Sequence, residues 1–179
     1  MPDLVITLIG PDRPGVVESV AEPIAAHGGS WLESRMAHLA GMFAGILRVE
    51  VPAENVGALT ATLGSLAQSG LRVVVEESHP ELSAPAQQQL MDLDLLGTDR
   101  PGIVREISRL LAAHGVNIEE LATDRTAAPM SGEMLFRARA RVRVPTGADM
   151  PGLRSRLEKL ASDLMVEVNL VEERQGDGQ

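Results

Sequence analysis

Six residues, Gly10-Pro11-Asp12-Arg13-Pro14-Gly15, hold most of the chemistry this chain offers, and they return as Gly97-Thr98-Asp99-Arg100-Pro101-Gly102. They stand where a short apolar strand pattern gives way to helical spacing, so they should form the turn that delivers a strand into a helix. The first glycine would permit a sharp turn, Pro14 is preset for a first helical turn, and Asp12 can cap orphan N–H groups. Gly15 has no side chain, which lets a ligand approach amides at the positive end of the helix dipole. A small carboxylate suits those amides, and the Asp12 carboxylate can hold an ammonium group beside it. An α-amino acid meets both demands. The plainer reading is a strand-to-helix turn with an N-cap, and chemistry alone leaves both open.

The recurrence runs well beyond the turn. From position 10 to position 97 the offset is 87 residues, and at that offset Ala25-Ala26-His27-Gly28 returns as Ala112-Ala113-His114-Gly115 and Glu33 as Glu120. An ungapped match this long signals internal duplication, with a period that makes each copy a domain. Each copy carries the same order of patterns: a strand at 4–9, a helix at 14–27, strands at 30–38 and 43–51, a helix at 53–68 and a strand at 71–76. In the second copy the strands fall at 90–96, 117–125, 133–144 and 165–172, and the helices at 101–114 and 150–162. Right-handed crossovers turn this order into an α+β, split β-α-β fold, a four-stranded antiparallel sheet with two helices on one face. The expected domains are 1–79 and 89–174, joined by a polar, proline-containing linker at 80–88 and followed by a disordered tail at 175–179. Domains this small are expected to pack against each other.

Composition narrows the possible roles. The 179 residues are 44% hydrophobic and only 2% aromatic, so aliphatic side chains must fill the cores. There is no cysteine, which removes disulfides, thiolate metal sites and a cysteine nucleophile. The N-terminus lacks a signal-peptide pattern and no apolar run is long enough to span a bilayer, so the expected setting is the cytoplasm, away from membranes. A net charge of −9 repels a phosphate backbone, and with no helix-turn-helix or basic arm, direct nucleic-acid binding is not expected.

The Asp-Arg-Pro-Gly turn, the helix after it, the His-Gly stop and the following Asn117-Ile118 resemble the ACT domain, a regulatory module of ferredoxin-like βαββαβ fold that commonly binds amino acids. The tandem arrangement over nearly the whole chain, together with Ala128-Pro129-Met130-Ser131-Gly132 leading into Leu135-Phe136, is similar to the glycine cleavage system transcriptional repressor family. That resemblance implies a site between one domain's strand-to-helix turn and a neighbouring domain's second strand. Its contact positions fall on Asp12, Pro14, Gly15 and Ser30 in the first copy and on Asp99, Pro101, Gly102 and Asn117 in the second. A carboxamide at Asn117 both donates and accepts where the Ser30 hydroxyl offers less, which favours the second copy. The resemblance further implies glycine as the signal and repression through a separate transcription activator. An effector would stabilise one relative domain arrangement.

Other residues carry plainer expectations. His27 and His114 precede a helix-stopping glycine, where a ring nitrogen serves the helix end, and neither has partners for a metal or catalytic role. His38 and His79 read as isolated surface residues, and Glu76-Glu77, Glu119-Glu120 and Glu172-Glu173 as solvated strand ends. Trp31 and Phe43 read as packing. Arg137, Arg139, Arg141 and Arg143 alternate with Phe136, Ala138, Ala140, Val142 and Val144, a guanidinium ladder that Asp92 and Asp94 can meet from the neighbouring strand. The matching strand of the first copy has an apolar outward face, which points to domain packing or a homo-oligomer. With no tyrosine, no cysteine and no His-carboxylate constellation, an enzyme is disfavoured and no cofactor is expected. The remaining classes are a small-amino-acid-responsive regulator that contacts a protein partner, a ligand-free interaction module, and a regulatory subunit of an amino-acid-metabolism enzyme.

Overall fold

The computed structural model describes residues 1–78, 88–129 and 131–172. The expected tail at 175–179, the linker up to residue 87, His79, Met130 and Glu173 lie outside the described residues. Gln88 belongs to a strand and not to the linker.

The first unit runs β1 (Asp3–Pro11), α1 (Val16–Ala26), β2 (Ser30–Leu39), β3 (Met42–Glu50), α2 (Val56–Ser65) and β4 (Arg72–Glu77). The second repeats it as β5 (Gln88–Thr98), α3 (Ile103–Ala113), β6 (Asn117–Ala127), β7 (Met134–Pro145), α4 (Met150–Leu164) and β8 (Val166–Glu172). The sheets have the orders β2-β3-β1-β4 and β6-β7-β5-β8, antiparallel throughout, so both units are ferredoxin-like. The chain divides into two compact units along this repeat. Each closes its own aliphatic core: Leu4, Ile6, Val20, Leu47, Leu59 and Leu63 in one, Met91, Leu93, Leu111, Val142, Leu153 and Leu157 in the other. No polar side chain is buried among the described residues.

Four local expectations give way to packing. The helix expected over 53–68 is broken into a 3₁₀ turn at Ala53–Asn55, α2, and a second 3₁₀ turn at Leu66–Ser69 that ends on left-handed Gly70. Gly10 and Gly97 are not turn residues. Both lie inside a strand, and a Cβ on Gly97 would stand 2.7 Å from the Val166 Cα, while one on Gly10 would stand 2.8 Å from the Gly70 carbonyl oxygen. Glycine is required there by close approach. Pro14 and Pro101 lie before the helices, which begin at Val16 and Ile103.

The fourth concerns Glu119-Glu120. A bulge between Ile118 and Glu120 puts both carboxylates on the open face of the sheet, where Glu119 pairs with Arg143 and Glu120 lies 3.5 Å from Arg141. The register does set Asp92 opposite Arg141 and Asp94 opposite Arg139, but β6 contributes to the ladder from the other side. Arg137 and Arg139 make no ion pair among the described residues. The first unit's open face is instead apolar at its centre, with Ile46 48% and Val74 54% exposed, and charged toward the end where Glu33, Arg48 and Glu76 line up with Val5.

One methyl group therefore separates two kinds of glycine. Gly97→Ala is expected to lower stability by about 2 kcal/mol, the cost of overpacking against Val166. Gly64→Ala, at a helical position with nothing within 4 Å of the added Cβ, is expected to raise it by up to about 1 kcal/mol. Urea denaturation of the two variants checks both signs.

Candidate ligand-binding turn

The strand-to-helix turn is held the same way in both units. The Asp12 amide donates to the Gly41 carbonyl at 2.9 Å, and the Asp99 amide to that of Met134 at 2.8 Å, which ties the turn to the neighbouring strand pair. Arg13 reaches across to the Ser69 carbonyl at 3.0 Å, and Arg100 to the Met165 sulfur at 3.6 Å, so the arginine clamps the turn to the far end of the second helix. Gly15 and Gly102 then take left-handed φ values of +88° and +93°, a conformation that glycine alone adopts without cost. Both glycines, the aspartate amide and the arginine of the repeated motif thus have structural tasks.

Asp12 and Asp99 do not cap the helices. Gly15 and Gly102 occupy the cap positions, and no side chain accepts a hydrogen bond from the first-turn amides of α1 or α3. Both carboxylates turn instead toward the second strand of their unit. Asp12 stands 3.6 Å from His38, which carries a positive charge only when protonated, and Asp99 stands 2.7 Å from Arg125. His38 is therefore not isolated. Positions 38 and 125 are themselves one repeat apart, so the duplication built an acid–base pair beside the turn twice, once with imidazole and once with guanidinium.

The two turns differ in charge at one further position. A side chain grafted onto Gly15 would stand 3.8 Å from the Glu18 carboxylate, whereas one on Gly102 would stand 3.6 Å from the Arg105 guanidinium. A carboxylate near the positive end of α1 already satisfies that dipole and repels a second anion, while Arg105 adds to the field of α3. Arg105 also bonds Glu106 through Nε at 3.1 Å and Nη2 at 2.8 Å, which moderates that gain.

The other expected contact residues lie elsewhere. Asn117 opens β6 opposite Arg143, while Asp99 follows Thr98, which pairs with Leu135, so they occupy opposite ends of the same sheet. The eight residue steps from Asn117 to Arg125 alone span roughly 26 Å of strand. Ser30 opens β2 in the same way. Asp99, Pro101 and Gly102 are brought together within one unit, and Asn117 is not. The ring Nδ1 atoms of His27 and His114 donate to the carbonyls of Pro23 at 2.7 Å and Leu110 at 2.9 Å, as helix-end histidines do. No three histidine or carboxylate groups gather to hold a metal ion among the described residues, and none of their helices is long and apolar enough to cross a membrane.

The turn gathers amides, one carboxylate and two guanidinium groups, and presents no nucleophile–base pair among the described residues. Such a turn recurs on a ferredoxin-like sheet in both units, and the sequence pattern of the ACT domain matches residues 2–76 and again residues 92–161. The chain belongs to the ACT-domain family. It is similar to the glycine cleavage system transcriptional repressor of Escherichia coli K12, at 24% identity over 180 residues, covering 98% of this chain and 94% of that protein. A crystal structure of a protein of unknown function from Galdieria sulphuraria superposes with a TM-score of 0.86 at 28% identity, over 96% of this chain and 98% of that one. A second crystal structure, provisionally assigned as a glycine cleavage system transcriptional repressor, has the same fold at a TM-score of 0.70 and 20% identity, again over 96% and 98%. The family and the likeness to the repressor support a regulatory role, and the two structures show the fold.

Arg125 is the residue that sequence reasoning passed over, and its pairing is measurable. A double-mutant cycle on Asp99→Asn and Arg125→Gln is expected to give a coupling of about 0.5 kcal/mol, since Arg125 is 59% exposed and solvent screens the pair. Thermal denaturation of the four proteins reads it.

Proposed function

We propose that this protein senses a small α-amino acid, glycine first among them, and regulates transcription of glycine cleavage genes by contacting a separate transcription activator. The observation that carries the reading is the second unit's turn. Uncapped amides at the N-terminus of α3 stand beside an Asp99–Arg125 pair that a zwitterion can divide. The ligand's carboxylate would take the amides and a guanidinium group, and its ammonium would take Asp99 in place of Arg125, so one surface ion pair is exchanged for two charged contacts and several N–H bonds. The name of the relative from Escherichia coli supplies the genes. Asp12, Pro14 and Gly15 form the equivalent turn in the first unit, where Glu18 opposes an anion. Asn117 and Ser30 would serve a ligand at a turn only if that turn belongs to another unit. The effector works by its different affinity for two states of the turn, and the protein partner by its own.

A second reading also has an observation behind it. Arg125 already satisfies Asp99 at 2.7 Å, as expected of an interaction module that keeps the fold without a ligand. Thermal unfolding against a panel of amino acids separates the two. A ligand at a hundredfold excess over its Kd stabilises by about 2.7 kcal/mol, which for a chain of this length raises the midpoint by roughly 5 to 10 °C. A selective shift with glycine that Asp99→Asn abolishes supports the sensor, and loss of the shift in Asn117→Ala would add a contact from a second unit. Silence across the panel at millimolar concentration favours the interaction module.

The apolar open face of the first sheet is proposed as a self-association surface. Sedimentation of the wild type should give a mass above one chain, and Ile46→Lys, a charge placed at the centre of that face, should return it to one. A wild type that sediments as a single chain at tens of micromolar sinks this idea.

A further inference from the structure

The duplication supplies a comparison that a single domain cannot. Where two copies of one fold differ in exposed charge, the fold itself does not require the charge. One such difference lies on the helices of the second unit. Between α3 and α4 runs a groove of about 550 Å³ whose apolar floor is made by Leu110, Ala113 and Leu160, with Arg109, Arg156 and Lys159 along its sides. At the matching positions the first unit has Glu22, Thr62 and Ser65. The correspondence is fixed by the repeat for α1 and α3, and for α2 and α4 by their buried leucines, Leu59 and Leu63 in one and Leu153 and Leu157 in the other.

The three cations are exposed and make no ion pair among the described residues. Glu106, a carboxylate on the rim, is occupied by Arg105 through two hydrogen bonds. Asp163, near the end of α4, is the other acidic residue that lines the groove. In a chain of net charge −9, twelve of the sixteen lysines and arginines lie after residue 90, so this face stands against the charge of the molecule as a whole.

We infer that the groove between α3 and α4 docks an acidic amphipathic helix of a partner protein. The small side chain of Ala113 lets a third helix approach closely. Leucine-type residues at i, i+3, i+4 and i+7 of the incoming helix would cover Leu110 and Leu160, and glutamates flanking that stripe would meet Arg109, Arg156 and Lys159. Complementary charge of this kind sets orientation and association rate as much as affinity. Three cations with acidic neighbours are too few to hold a nucleic-acid backbone, for which six to ten phosphate contacts are typical. The inference deepens the regulatory reading and rests on it for the partner being a protein.

The probe is a short synthetic helix with leucines at that spacing and glutamates elsewhere, fluorescently labelled, with a control in which every glutamate is lysine. Anisotropy titrations use the full-length wild type, a neutral triple variant (Arg109→Gln, Arg156→Thr, Lys159→Ser) and a reversed one with glutamate at all three positions. The acidic helix should bind the wild type roughly tenfold more tightly than the neutral variant, with binding weakened by salt, and the reversed variant should prefer the lysine helix. Cooperative thermal unfolding of the three proteins shows that the variants fold. Equal binding to wild type and neutral variant, no binding at all, or displacement of the helix by equimolar inorganic tripolyphosphate would overturn the inference. Amino-acid thermal shifts recorded on the same three proteins keep the two proposals apart: a shift without helix binding leaves the sensor and removes the groove, and helix binding without a shift does the reverse.

Discussion

At Gly97 the central strand of the second unit touches the first residue of β8 so closely that a methyl group would overlap the Val166 backbone. The rest of the site depends on that contact. It brings the end of β5 over the far end of α4, where Arg100 can reach Met165, and it leaves the chain one turn in which to reverse into α3. Gly102 makes the reversal by taking a left-handed conformation, and the helix then starts without a side-chain cap. The exposed amides follow from how tightly two strands approach each other at a glycine. The first unit reaches the same result by another route, with the Gly70 carbonyl in place of Val166 against Gly10.

Because the fold is written twice, what the copies share and where they part can be read separately. They share the strand order, the left-handed glycine, the aspartate amide tied to the neighbouring strand pair and the arginine that spans to the second helix. These are requirements of the architecture. They part at Glu18 against Arg105, His38 against Arg125, Glu22 against Arg109 and Thr62 against Arg156, all on the surface and each adding positive charge or fixing it in the second unit. The cores diverge too. Trp31 and Met36 pack against the first, while Ile118 and Thr123 hold the same places in the second, where a cavity of about 60 Å³ opens between α3 and β6. The open sheet faces separate the units once more, since one exposes Ile46 and Val74 and the other a mixed-charge ladder.

Most of the architecture was legible because a repeat at constant offset testifies to itself, and because apolar periodicity survives in α1, α3 and the central strands. The losses have physical causes. Glycine in a strand and glycine in a turn look identical in a sequence, so Gly10 and Gly97 read as turn residues when their reason is a neighbour across the sheet. A bulge inserts one residue and reverses the facing of all that follow, which hid the meeting of Glu119 and Glu120 with Arg143 and Arg141. The aspartates read as caps because sequence shows their nearness to the helix and hides the strand beside them. Arg125 had a signal that went unused, since applying the repeat offset to His38 lands on it. The separation of Asn117 from Gly102 within one sheet was visible only once the register of β6 was known.

Helix α3 links the two surfaces proposed for the second unit. Its first turn carries the amides beside Gly102 and its middle carries Arg109, seven residues on and roughly 10 Å along the axis. The helix is anchored along that stretch and just past it by Ile103, Ile107 and Leu111, all buried in one core. A ligand that pulls the first turn outward, or removes Arg125 from Asp99, therefore works on an element whose flank is the wall of the groove. Packed helices shift as units, because a close-packed core does not deform by degrees. If α3 has two arrangements that the ligand and the docked helix favour unequally, coupling between the two proposed sites follows, about 1 to 3 kcal/mol in systems of that kind. By linkage it is reciprocal, so a docked acidic helix would change amino-acid affinity by the same factor that the amino acid changes docking. The first unit presents the same uncapped turn but with Glu18 beside it, and it has Glu22 and Thr62 where the second has Arg109 and Arg156, so both proposed surfaces fall to the second unit.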